Sequence, residues 1–157
     1  MSQQPVPVRP TAAFVGASWV ALVIALTAFA VGLWNADMLL SEKGFYGSLL
    51  LLGLYSAIAL QKSVRDRAEG IPVTGIFLGL SWSMVLVSLL LVAIGLVNST
   101  LTLSEKGFYG LGYTMALFAV IAVQKNVRDL AAAGPAPQSA KPAPVDVDPQ
   151  AAVWQQR

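Results

Sequence analysis

The residues best suited to chemistry in this sequence form one seven-residue motif that occurs twice. Ser-Glu-Lys-Gly-Phe-Tyr-Gly stands at positions 41–47 and returns unchanged at 104–110, an offset of 63 residues. If the two copies approach each other, their carboxylates and ammonium groups would form one polar site for a ligand or a partner. The residues of this candidate site are Ser41, Glu42, Lys43, Gly44, Ser104, Glu105, Lys106 and Gly107.

The same residue types also suit a capped turn with no binding role. Ser41 would cap the following helix, Glu42 would interact favourably with the helix dipole, and Gly44 would adopt a positive φ. The aromatic residues of the motif would lie at the lipid headgroups. Because every residue type then has a structural role, we favour the turn over the binding site.

A second repeated motif is Gln-Lys-x-Val-Arg-Asp, at 61–66 and 124–129. It is a candidate site for lipid headgroups or for a protein partner. The structural alternative is that its cations set membrane topology and lie favourably at a helix C-terminus, with Lys62 pairing to Asp66 one turn away. The residues of this motif are Gln61, Lys62, Arg65, Asp66, Gln124, Lys125, Arg128 and Asp129.

Composition indicates an integral membrane protein. The 157 residues are 56% hydrophobic and 11% charged, with a mean hydropathy of +0.67, whereas soluble domains carry about 25% charged residues. The sequence contains no Cys and no His, which removes disulfides, thiolate chemistry and histidine acid–base or metal chemistry. We therefore expect no catalytic residue, no cofactor, no metal site and no nucleic-acid partner, and we do not expect an enzyme.

Four uncharged stretches are long enough to cross, or almost cross, a bilayer, which needs about 20 apolar residues. A signal peptide is an alternative for the first, because Ala28-Phe29-Ala30 resembles a cleavage site. The repeat argues against that alternative, because Gly-Leu-x-Asn closes both the first and the third stretch. The four stretches are 11–36, 44–61, 73–97 and 107–124.

Cations are distributed unevenly between the two ends of these stretches. Two lie in the repeated turns, Lys43 and Lys106. Six lie near the other ends: Arg9, Lys62, Arg65, Arg67, Lys125 and Arg128. The positive-inside rule then predicts that both termini and the central connection are cytoplasmic and that the repeated turns face outward.

The repeat predicts an all-α membrane protein. Four transmembrane helices would form two tandem helical hairpins, related by a pseudo-two-fold axis along the membrane normal. Small residues recur at four-residue spacing in every span, as in Gly75-x-x-x-Gly79-x-x-x-Ser83, and predict internal helix packing. The predicted organisation is a disordered tail (1–10), the first repeat (11–67), a cytoplasmic connection (68–72), the second repeat (73–130) and a disordered Pro/Ala-rich tail (131–157).

The paired motifs resemble those of the YiaA/YiaB two-helix-domain family of bacterial inner-membrane proteins. The resemblance covers about residues 14–129, and the two tandem copies make the chain YiaA-like within the family. It implies a multi-pass protein of the bacterial inner membrane and supplies no activity for any residue. We expect a structural or accessory role, with the lipid bilayer and either a second copy or another membrane protein as partners. A small transporter or channel formed by oligomerisation is the alternative.

Overall fold

The structure, a computed structural model, describes residues 9–134 and contains four α-helices in that range. They are α1 (Ala12–Asn35), α2 (Leu40–Ala68), α3 (Gly75–Asn98) and α4 (Leu103–Ala133). All four are long and apolar enough to cross a membrane, and the described residues contain no strand. The predicted fold class is confirmed.

The first helix of each repeat begins in the same way. Thr11 and Thr74 are N-caps with extended backbones, and their hydroxyl groups accept hydrogen bonds from the N–H groups of Phe14 (3.3 Å) and Phe77 (3.4 Å). Each hydroxyl satisfies one of the N–H groups that a helix start leaves without a partner. The two caps are 63 residues apart, so the repeat extends to the first turn of α1 and α3.

The second helix of each repeat is longer than the uncharged stretch that predicted it. α2 has 29 residues and α4 has 31, so each runs about 45 Å at 1.5 Å per residue, well beyond a hydrocarbon core of about 30 Å. The additional turns carry the polar motifs at both ends. α4 continues to Ala133, three residues past the predicted end of the second repeat, and residues 135–157 of the predicted tail lie outside the described range, as do residues 1–8.

The two repeats are interleaved. The two hairpins follow each other along the chain, but α1 packs mainly on α4 and α3 packs mainly on α2, while α2 and α4 contact each other at the centre. Phe29 of α1 meets Tyr109 of α4 edge to face at 5.5 Å between ring centroids. The first helix of each repeat therefore packs against the second helix of the other repeat.

Glycines allow the closest of these approaches. A Cβ on Gly32 would lie 2.7 Å from the Phe108 ring, and a Cβ on Gly95 would lie 2.9 Å from the Phe45 ring. A Cβ on Gly53 would collide with the Tyr113 hydroxyl group. Small residues thus bring backbone and rings together without a side chain between them, as expected where burial of apolar area in lipid contributes little.

The predicted internal packing is wrong for one small-residue face. Gly75, Gly79 and Ser83 are exposed, and no atom lies within 4 Å of a Cβ built on either glycine. The reason is rotational position, since α3 directs Ser81, Ser88, Val92 and Leu96 inward. The Gly75–Gly79–Ser83 face therefore points away from the other helices that the structure describes.

Candidate functional site

The first repeated turn is held by hydrogen bonds from two of its own charged residues. The Glu42 carboxylate accepts a hydrogen bond from the N–H of Leu39 at 2.8 Å, just before α2 begins. The Lys43 ammonium group donates to the carbonyl of Trp34, in the last turn of α1, at 2.8 Å. One residue thus caps the start of a helix, while the next caps the end of the preceding helix.

The second turn repeats this arrangement and adds a true cap. The Glu105 carboxylate accepts from the N–H of Thr102 (2.8 Å) and from its hydroxyl group (2.7 Å). The Thr102 hydroxyl oxygen in turn accepts from the N–H of Glu105 at 3.4 Å, which makes a capping box. Lys106 donates to the carbonyl of Val97 at 3.0 Å.

Two details predicted for this turn are wrong. Ser41 and Ser104 are not N-caps, because the helices begin earlier, at Leu40 and Leu103. Gly44 and Gly107 lie inside the helices and do not have a positive φ; among the described residues only Gly70 and Gly134 do. The physical reason is that the glutamate reaches back three residues to the cap backbone, which places the helix start before the serine.

The charged groups of the two turns do not pair with each other. No ion pair joins them within residues 9–134, where all the salt bridges lie at the opposite end of the helices. Tyr46 and Tyr109 occupy the centre instead, and their rings stack at 6.4 Å with planes 16° apart. The repeats therefore meet through aromatic packing near the turns. The polar residues around the tyrosine pair are exposed: Ser41, Glu42, Ser104 and Glu105.

A shallow cavity of about 300 Å³ opens beside the first turn. Its lining combines the turn with the end of α3: Ser41, Glu42, Phe45, Tyr46, Gly95, Asn98 and Ser99. The Glu42 carboxylate and the Ser99 hydroxyl group already have backbone partners, Leu39 and Leu96. The turn residues remain a predicted site, and the contacts that the structure gives them are those of caps.

The Gln-Lys-x-Val-Arg-Asp motifs lie at the other end of the helices, which we call the charged end (61–69 and 124–129). The predicted Lys62–Asp66 pair is confirmed at 3.6 Å, and its counterpart Lys125–Asp129 is 2.7 Å long. These pairs are solvent-exposed on the lysine side, and such pairs are each worth about 0.3–0.5 kcal/mol. They stabilise the helix ends without joining the two repeats.

Glu69 joins the two repeats at the charged end. Its carboxylate pairs with Arg128 of α4 and lies 3.8 Å from the Nε of Arg65. The corresponding position in the second repeat is Ala132, so only one such carboxylate exists. Arg65 also contacts Asp66 at 3.3 Å. The sequence could have indicated this bridge, because Glu69 is an acidic residue in the central connection with no equivalent in the second repeat.

Sequence reasoning missed a buried polar contact between the first and last helices. Asn126 is fully buried, and its amide nitrogen donates to the hydroxyl oxygen of Ser18 at 3.0 Å across 108 residues of sequence. Tyr113 likewise donates to the carbonyl of Leu49 at 3.3 Å. A polar residue at the unmatched position of the second motif was the available signal for Asn126.

Several buried polar atoms at the charged end have no hydrogen-bond partner among residues 9–134. They are the Gln61 Oε1, Arg65 Nε, Gln124 Oε1 and Asn126 Oδ1 atoms. Gln61 and Gln124 are equivalent positions of the two repeats. No cluster of three or more acidic, histidine or cysteine residues that would hold a metal occurs within residues 9–134.

Comparisons with known proteins agree with the repeat. The sequence model described as "yiaA/B two helix domain" matches twice, at residues 14–66 and 77–129. The inner membrane protein YiaA of Escherichia coli K12 is 51% identical over 117 residues, which cover 74% of this chain and 81% of that protein. The uncharacterized membrane protein YubF of Bacillus subtilis 168 is 40% identical over 62 residues, covering 39% and 71% respectively. No solved structure matches the chain significantly.

Proposed function

The chain belongs to the yiaA/B two-helix domain family, and we propose that it has a structural or accessory role, packing its helices against a second copy or another membrane protein. Four spans and the relationship to an inner membrane protein make it a multi-pass inner-membrane protein. The structural or accessory role is therefore a role within the inner membrane.

The observation that carries the proposal is the Gly75–Gly79–Ser83 face of α3. Both glycines are exposed with open space where a side chain would be, and the Ser83 hydroxyl group donates to its own helix at the Gly79 carbonyl (2.9 Å). Gly32, Gly53 and Gly95, in contrast, are covered by aromatic rings of the other repeat, whereas Gly16, the equivalent of Gly79 in α1, is open in the same way. In lipid, small residues at this spacing favour close contact with another helix.

The charged residues support a non-enzymatic role through the partners that they have. Glu42 and Glu105 hydrogen-bond to the backbone at helix starts, while Lys43 and Lys106 hydrogen-bond to carbonyls at helix ends. A catalytic acid, base or nucleophile needs a free reacting atom in a site that a substrate can enter. These four groups are engaged in capping.

The alternative is a small transporter or channel formed by oligomerisation. The centre of the single chain is filled near the turns by Tyr46, Tyr109 and Tyr113, all of which are buried. A polar path would therefore have to run between copies. A purified oligomer with a hydrated central axis would support this alternative, whereas a compact dimer or a defined partner would support the structural role.

The expected orientation places both termini and the charged end in the cytoplasm. Six cations flank that end and only Lys43 and Lys106 flank the other. The charge asymmetry supports the orientation through the positive-inside rule.

Disulfide crosslinking tests the packing face, since the chain contains no natural cysteine. Ser83→Cys places one thiol on the face, and Val20→Cys places one at the equivalent position of α1, where Val20 is also exposed. We expect oxidation in native membranes to give a crosslinked product for Ser83→Cys and much less for Val20→Cys. Gly79→Leu added to Ser83→Cys should abolish the product. Equal crosslinking at both positions would show that this face has no specific neighbour.

A further inference from the structure

The two packed helix pairs, α1 with α4 and α2 with α3, differ in how they fill the equivalent space near the charged end. Between α1 and α4, Leu22, Val120 and Val123 form a packed cluster. The equivalent residues between α2 and α3 are Val85, Ala57 and Leu60. These three line a cleft of about 470 Å³ instead, together with Gln61, Arg65 and Trp82. Smaller side chains at two of three positions leave open between α2 and α3 the space that is filled between α1 and α4.

The volume and chemistry of this cleft suit a small amphiphile. Ligand pockets commonly measure about 300–1,000 Å³ and are mostly apolar with a few polar groups. Trp82, Leu117 and Ile121 supply apolar surface. Gln61 and Arg65 supply the polar groups, and each has one buried atom, Oε1 and Nε respectively, with no hydrogen-bond partner in the described part of the chain. Leaving such groups without partners is costly, so a ligand that satisfies them gains affinity.

The unpartnered atoms define what a headgroup must offer. The Arg65 Nε–H needs an acceptor, because the Glu69 carboxylate lies 3.8 Å away, too far for a hydrogen bond. The Gln61 amide oxygen needs a donor. A phosphate diester supplies the acceptor, and a neighbouring hydroxyl group supplies the donor.

Charge at the rim favours an anionic headgroup. The segment from Lys62 to Glu69 holds three cations and two carboxylates. Asp66 is shared between Lys62 and Arg65, and Glu69 is shared between Arg65 and Arg128, so two carboxylates face three cations. Basic pockets between membrane helices, near the headgroup level, are known to hold anionic lipids.

We propose that the α2–α3 cleft binds one anionic phospholipid with a hydroxyl-bearing headgroup, such as phosphatidylglycerol. The phosphate accepts from Arg65 Nε–H, a headgroup hydroxyl group donates to Gln61 Oε1, and one acyl chain lies along Trp82 and Leu117. The lipid belongs to the leaflet at the charged end. The α1–α4 side does not bind in this way, because Leu22, Val120 and Val123 fill it.

Native mass spectrometry of the purified full-length chain tests the proposal. The protein is reconstituted in micelles containing equal phosphatidylglycerol and phosphatidylcholine, and the lipids that remain bound after detergent removal are counted. We expect one phosphatidylglycerol per chain and little phosphatidylcholine. Equal retention of both lipids would overturn the proposal, because it would indicate apolar filling without headgroup recognition.

A double substitution that copies the α1–α4 side gives the sharpest control. Ala57→Val with Val85→Leu fills the cleft with larger side chains, Val85→Leu matching Leu22 and Ala57→Val matching Val120. The reverse pair, Val120→Ala with Leu22→Val, is the matched control on the other side. We expect the first variant to lose bound phosphatidylglycerol. Undiminished binding in that variant would place the lipid elsewhere and overturn the proposal.

A single substitution keeps the test decisive if the filled variant does not fold. Gln61→Leu removes the acceptor at the cleft, while Gln124→Leu removes the equivalent unpartnered oxygen of the other repeat. We expect Gln61→Leu to weaken phosphatidylglycerol binding by about threefold to tenfold, the range for one lost hydrogen bond, and Gln124→Leu to leave it unchanged. Equal effects of the two substitutions, or no effect of either, would overturn the assignment.

Discussion

Tyr46 and Tyr109, which are equivalent residues of the two repeats, stack on each other with 6.4 Å between ring centroids and 16° between planes. Each ring also contacts a glycine of the other repeat, Tyr46 at Gly95 and Tyr109 at Gly32. The pseudo-two-fold axis therefore passes between two aromatic rings rather than between two charges. This contact fixes how the interleaved repeats meet near the turns.

The tyrosine stack predicts an energetic coupling between the repeats. Tyr46→Ala and Tyr109→Ala should each lower the free energy of unfolding in detergent, and the double variant should lose less than the sum. Aromatic pairs of this kind contribute about 0.5–1.5 kcal/mol beyond their buried area. The matched control pairs Tyr46→Ala with Tyr55→Ala, because Tyr55 is 71% exposed. Additive effects of Tyr46 and Tyr109 would contradict the coupling.

Glycines inside helices should respond oppositely according to what covers them. Gly44→Ala and Gly107→Ala should raise stability by about 0.5–1 kcal/mol, because both lie in helices with open space around them. Gly53→Ala should lower it by about 1–3 kcal/mol through overpacking against Tyr113. Thermal unfolding in detergent measures all three. A loss of stability in both Gly44→Ala and Gly107→Ala would instead support the positive φ that the sequence predicted for these glycines.

The sequence predicted the four helices because the repeat and the hydropathy of each span are strong local signals. It did not predict which helices pack together, because in lipid apolar residues face both inward and outward. Phe29 is 1% exposed and Trp34 is 83% exposed, although both are aromatic residues of α1. Polar and apolar patterning, which separates core from surface in a soluble protein, therefore carries little information here.

The sequence predicted the connections between α1 and α2 and between α3 and α4, but the candidate turn residues 41–44 and 104–107 lie in the first turns of α2 and α4. The cap of α4 is Thr102, a typical capping residue, whereas its equivalent in the first repeat is Leu39. Because only the second repeat has a threonine at this position, comparing the two repeats did not identify the cap. At the charged end the Lys62–Asp66 pair was predicted correctly, because it depends on helical spacing alone.

The buried contact between Asn126 and Ser18 should contribute measurably to stability. Asn126→Ala should lower the free energy of unfolding by about 0.6–1.7 kcal/mol, as found for hydrogen bonds between membrane helices. Asn126→Ser, which copies Ser63 of the first repeat, should cost about the same if the shorter side chain cannot reach Ser18. The control is Thr114→Ala, which removes an exposed hydroxyl group bound to its own helix. Equal losses in Asn126→Ala and Thr114→Ala would contradict the role of the interhelical contact.

The uneven distribution of cations predicts the membrane orientation through the positive-inside rule. In intact cells, an impermeant maleimide should label Ser41→Cys at the first repeated turn and should not label Ala68→Cys at the charged end. Both positions are exposed in the structure, so accessibility within the protein is matched. Disrupted cells should label both. Labelling of Ala68→Cys alone in intact cells would reverse the orientation.

The final prediction separates capping from binding at the repeated turns. If Glu42 and Glu105 only cap their helices, Glu42→Gln and Glu105→Gln should each cost about 0.3–1 kcal/mol, and the double variant should lose the sum, since each carboxylate bonds to its own helix start. Thermal stability in detergent and crosslinking yield in membranes should be measured together. Thr102→Ala is the control, because it removes the cap hydroxyl group and leaves both carboxylates. Folded glutamine variants that lose partner crosslinking, with non-additive behaviour of the double, would show instead that the two turns form one site.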